Sequence, residues 1–139
     1  ILLTLLPFWL LAQGDSKLEG LLKQTGYEFK KASQDVWITT VEGKNQQAID
    51  MVVVESGGMT VLFSIVKENA IDSLSAVQLK NLLKLNMALD RIKIGFDEEK
   101  NLLVRIDATT RLLDAEELTL LLDQAGSAAD ESFAIVQKK

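Results

Sequence analysis

SAVQLKNLLKLNMALDRIKIGFDEEKNLLVRID, residues 75–107, decides the fold. Ser75 and Gln78 form a capping box, in which each side chain satisfies an orphaned backbone N–H at a helix start, so a helix begins near Ala76. On a helical wheel Leu79, Leu82, Leu83, Leu85, Met87 and Leu89 cover an arc of about 200°, against a usual apolar stripe nearer 100°. One sheet face cannot cover that much helix. The surplus predicts burial against another helix or a second copy of the chain. Asn86 sits near the centre of the arc. A buried amide there bonds strand backbone or a symmetry mate, or fixes register; a ligand contact is the less economical use. Beyond the helix, Arg91–Phe96 and Leu102–Asp107 alternate as two strands. Ile92, Ile94 and Phe96 face with Leu102, Val104 and Ile106, while Arg91, Lys93, Arg105 and Asp107 take the other side.

Upstream, Ser16 and Glu19 cap a short helix from Lys17 to about Thr25, with Gly26 placed to end it. Four strand-like runs follow: Tyr27–Lys31, Asp35–Glu42, Ile49–Glu55 and Met59–Lys67. Ser56-Gly57-Gly58 makes a tight hairpin between the last two. In the fourth run Val61, Phe63 and Ile65 fall on one face and Thr60, Leu62 and Ser64 on the other. A third helix runs from Ala115 to about Ala129, capped by Asp114 and Glu117, with Leu120 on its outer side. Phe133, Ile135 and Val136 then form a packed tail. The order α-β-β-β-β-α-β-β-α predicts an α+β domain, with a mixed, mainly antiparallel sheet and helices on one face.

Residues 1–14, ILLTLLPFWLLAQG, stand apart. The run to Leu11 is uncharged, too short for the roughly 20 apolar residues of a bilayer span, and interrupted by Pro7. Small residues at Ala12 and Gly14 follow, as at a signal-peptidase site. This reads as the remnant of a secretory signal, with one domain over residues 15–139 and a periplasmic or extracellular destination. An apolar element packed on a cytoplasmic domain is the alternative.

Composition excludes much. The 139 residues include no histidine and no cysteine, which removes triad hydrolases, zincins, imidazole-bound metals and disulfides. A net charge of −5 with interspersed signs opposes nucleic-acid binding. Ser64-Ile65-Val66-Lys67 matches the S-x-x-K string of serine acylases, but lies in a strand that turns the two side chains apart. Asp97-Glu98-Glu99 lacks the alternating ligands and glycine of a calcium loop and reads as a solvated turn. Arg105 and Asp107, on one strand, read as partners in cross-strand ion pairing more than as a charged-ligand site. No catalytic, cofactor or metal residues are assigned, and the chain is read as non-enzymatic.

The runs LEGLLKQTGYEFKK, VWITTVEG, VLFSIVKE, LLKLNMALDRIKIGFDEEKNLLVRID and RLLDAEELTLLL carry a resemblance covering Ser16 to about Ala129. In these the chain resembles the YbjN-like family, which shares the type III secretion chaperone fold. The resemblance implies a small acidic protein that dimerises and holds another polypeptide along apolar surface, with no catalytic residues to carry over. It points to Leu82, Leu85 and Leu89, with Asn86 among them, as the dimer or partner surface. Secretion chaperones act in the cytoplasm, so the export-type leader departs from that pattern and weighs against effector chaperoning. The alternative is a small-molecule or lipid-binding domain using an open sheet face around Trp37 and Val41.

Overall fold

The computed structural model describes residues 16–138; the leader at residues 1–14 lies outside them. Ser16 accepts the N–H of Glu19 and starts α1 (Lys17–Leu22), which buries Leu18 and Leu22. Gly26, at φ +79°, reverses the chain. The next strand is β1 (Lys30–Ser33), later than the alternation of Tyr27 and Phe29 predicts. Those two rings pack edge to face, 6.4 Å between centroids, against the core. Their burial serves that ring contact, which is why a period of two misread them as strand.

β2 (Val36–Val41), β3 (Ile49–Ser56) and β4 (Met59–Lys67) form a meander. Ser56 pairs with Met59 across Gly57 and Gly58, at φ +57° and +78°. Two positive φ values match the right-handed strand twist, so the hairpin is tight. After α2 (Ala76–Ala88), the chain forms β5 (Lys93–Phe96) and β6 (Leu102–Thr109), then a 3₁₀ turn and α3 (Ala115–Gln137). The six strands lie in the order β1-β2-β3-β4-β6-β5. Every neighbouring pair is antiparallel, so the sheet has no mixed component. The α+β architecture and element order are those expected, with β6 docked on β4 because α2 carries the chain past it.

α3 crosses β3, β4 and β6 and covers one face. Leu118, Leu121, Leu122, Ala125, Ala128 and Ala129 pack there against Trp37, Met51, Val53, Leu62, Val104 and Ile106. The helix continues through Phe133, Ile135 and Val136, where the sequence predicts a packed tail beyond a helix ending near Ala129. Nothing in Ser127–Gln137 breaks a helix, and Gln78 of α2 holds its end by donating Nε2 to the carbonyls of Val136 at 3.1 Å and Lys138 at 3.0 Å. The helix comes close to the sheet at Gly126, where a Cβ would stand 2.9 Å from Val41 Cγ1.

Asp130 of α3 secures the β2–β3 loop. Its buried carboxylate accepts the N–H groups of Lys44 at 2.9 Å, Asn45 at 3.0 Å and Gln46 at 2.9 Å, and Asn45 Nδ2 at 2.9 Å. Burial alone raises a carboxyl pKa, but these donors outweigh it and hold Asp130 below the usual value. Gly43 is required beside it, since a Cβ would meet Asp130 Oδ1 at 2.3 Å. Asp130→Ala strands these donors, and we expect roughly 2–4 kcal/mol of lost stability in denaturant melts. A depressed carboxylate pKa stabilises the fold above the unfolded value of about 4 and ceases to as pH falls through the folded one. The gap between Asp130→Asn and the natural chain should therefore narrow on acidification.

Candidate functional site

Strand parity determines what each sheet face offers. Trp37 pairs with Val53, Val53 with Leu62 and Leu62 with Ile106, a row lying entirely on the helix-covered side. Trp37 is 3% exposed and Val41 is also buried, so neither lines an open face. That placement is corrected: both belong to the core, Val41 beneath Gly126 of α3. The open face carries the alternate rows, Ile38–Val52–Phe63–Arg105 and Val54–Val61–Asp107, with Ile65 opposite Leu103.

This open face is apolar at its centre. Val54, Val61, Phe63, Leu103 and Arg105, with Asp97, line a shallow cleft of about 350 Å³. Ile65 is 45% exposed beside Leu103. On β4 the covered side instead takes Thr60, Leu62 and Ser64, and the Thr60 and Thr110 hydroxyls bond each other at 2.8 Å to satisfy that burial. At the rim, Asp107 accepts from Lys93 Nζ and from Arg105 Nε, each at 2.6 Å. Burial raises the Asp107 pKa less than these two cations lower it, so it stays ionised.

α2 divides its apolar residues between two surfaces. Leu82 is 4% exposed and packs with Ala70, Leu102 and Val136; Leu85 and Leu89 are half-buried. Asn86 Oδ1 accepts the Ile94 N–H at 2.7 Å, the strand-backbone bond expected of a buried amide. The exposed apolar side chains are Leu83 at 68%, Met87 at 88% and Val77. Leu83 and Met87 stand one helical turn apart on the flank turned away from the core.

A second concavity, of about 690 Å³, lies between α3 and the β2–β3 loop, lined by Tyr27, Glu42, Lys44, Asp123, Ser127 and Glu131 among others. The Tyr27 hydroxyl donates to Asp123. Burial, that hydrogen bond and the adjacent charge push its pKa up to about 12. Asp97, from the acidic turn, spends its carboxylate on Asn101 N at 2.8 Å and Nδ2 at 3.1 Å. Among the described residues no group of His, Cys, Asp or Glu could hold a metal, and no helix is long and apolar enough to cross a membrane.

Sequence reasoning missed Asp130, the Tyr27–Asp123 pair and the open-face cleft. For the cleft a signal existed: the larger apolar residues of β4 alternate with Thr60 and Ser64, so one apolar set had to end outside.

No protein-family model and no curated protein matches the chain. Solved structures do. A chain of the heterodimeric ExoU–SpcU complex from the type III secretion system of Pseudomonas aeruginosa superposes with a TM-score of 0.65 at 15% identity, covering 85% of this chain and 96% of that one. YbjN from E. coli gives 0.57 at 15% identity, over 86% and 87%. A chain of the ExsC–ExsE complex gives 0.52 at 15% identity, over 71% and 75%. The fold is thus secretion-chaperone-like.

Two measurements check this geometry. Tyr27 is the sole tyrosine, so its phenolate absorbance should titrate near 12 in the folded chain and move down, while staying above 10, in Asp123→Asn. Leu82→Ala should cost about 2–5 kcal/mol in a thermal or urea melt, whereas Leu83→Ala should stay within about 0.5 kcal/mol.

Proposed function

We propose that this domain is a non-catalytic polypeptide-binding module. It holds an apolar segment of another protein on the open sheet face and associates with itself through the outer flank of α2. The observation that carries the reading is the apolar strip of Val54, Val61, Phe63, Ile65 and Leu103, which no other described element covers, on a sheet whose other face three helices fill. Exposed apolar surface that no element of its own chain covers is characteristic of interaction sites. Support comes from the fold, since chains of similar structure occur in the two-protein complexes ExoU–SpcU and ExsC–ExsE. The absence of histidine and cysteine from the sequence points the same way.

The partner surface on α2 passes from Leu82 to Leu83 and Met87, because Leu82 is consumed by the chain's own core. The leader reading adds that the domain works outside the cytoplasm; the mass of the chain recovered from its native envelope tests that part. A second reading places a lipid or other small apolar molecule in the same 350 Å³ cleft, with Arg105 at its rim. Native mass spectrometry separates the two, since a co-purifying ligand favours the small molecule.

For residues 15–139, light scattering after size exclusion should give a dimer, and Leu83→Glu with Met87→Glu should give a folded monomer whose melting temperature no longer depends on protein concentration. A natural chain that is monomeric at high concentration removes self-association from the reading. Affinity capture with the natural domain, compared with Phe63→Asp, tests the sheet face. Bound protein should be lost from the variant, and equal capture by both would sink that assignment.

A further inference from the structure

β5 ends the sheet, and among the described residues its outer edge faces no strand. In the β5–β6 hairpin the Asp97 N–H donates to the Asn101 carbonyl at 3.1 Å. Antiparallel alternation then bonds Gly95 and Lys93 to β6 and turns the N–H and C=O of Ile94 and Phe96 outward. Such a row is a template for another strand. One member of it is occupied: the Ile94 N–H donates to Asn86 Oδ1 at 2.7 Å. α2 thus carries a polar group within its apolar inner face to the position where an added strand would place a carbonyl.

The opposite edge is protected by other means. β1 is four exposed residues, with Lys30, Lys31 and a register shift between Lys31 and Ser33. Lysines and bulges of this kind discourage pairing. β5 has no bulge and alternates Ile94 and Phe96 around Gly95. An antiparallel register centred on Gly95 would set Ile94 against Phe96 of a second copy, and Lys93 against its Asp97. The first pairing is apolar and complementary; the second joins opposite charges, each already engaged within its own chain, Lys93 by Asp107 and Asp97 by Asn101.

We propose that the outer edge of β5 is a latent strand-pairing surface for a second copy of this chain, and that Asn86 keeps it closed. This edge is distinct from the Leu83 and Met87 flank, so the proposal stands or falls apart from the self-association reading. The test uses the chain carrying Leu83→Glu and Met87→Glu, to remove association through that flank. Onto it are placed Asn86→Leu, which loses the acceptor and keeps the apolar stripe, and Asn86→Asp, which keeps the Oδ1 acceptor. In dilute solution the Ile94 amide of the Leu variant should exchange about tenfold faster. At higher concentration that variant should sediment as a dimer, with the Ile94 and Phe96 amides protected again. The Asp variant should stay monomeric. A folded Leu variant that remains monomeric, or that associates without protecting those amides, overturns the proposal. If it fails to fold, Asn86→Ser, too short to reach Ile94, takes its place under the same outcomes. Failure of both to fold makes Asn86 a requirement of the fold, and the guard role is lost.

Discussion

The packing of one long helix across one face of the sheet is the constraint on which the rest of this structure depends. α3 approaches β3, β4 and β6 through small residues, Ala125, Gly126, Ala128 and Ala129, and so reaches van der Waals distance of Val41. Asp130, one position further along, grips the β2–β3 loop by three backbone N–H groups and thereby ties the helix to the far end of the sheet. Gln78 ties its C-terminal end to α2. The helix is therefore fixed along its C-terminal half, at Asp130 and at its end, and which sheet face is covered follows from it.

Covering one face assigns every strand side chain to one of two environments, because successive residues alternate. The assignment is least obvious on β4. Its inner row holds two hydroxyl residues, and its outer row holds Val61, Phe63 and Ile65. A strand read by itself would turn the other way. It does not, because Leu62 must join Trp37, Val53 and Ile106 in one row beneath α3, and a shift by one residue would reverse the entire strand. The cost is two inward hydroxyls, at Thr60 and Ser64, the first relieved by Thr110. The consequence is an apolar outer surface, which is the feature a binding partner can use.

Asn86 shows how local and tertiary information divide. That an amide in the middle of an apolar helical stripe must find a strand-backbone acceptor or donor is legible from residue chemistry alone. That its partner is the outward N–H of an edge strand is not legible, since nothing in residues 75–107 says β5 lies at the edge. Only the docking of β6 on β4 places it there. The same holds for the leucines of α2. The overwide arc is visible as a pattern, yet the division into Leu82 inside and Leu83 outside depends on the direction from which Leu102 and Val136 approach.

By itself the sequence determined the elements and their order, because capping boxes, glycine turns and periodicities act over a few residues and are written where they act. It also determined what chemistry is impossible, since absent side chains cannot be supplied by folding. Strand order, the covered face, the continuation of α3 to Gln137 and the burial of Trp37 were decided only in the tertiary structure. Each depends on contacts between segments tens of residues apart, such as Asp130 with Asn45 or Ile106 with Leu62, and their energies do not appear in any local window.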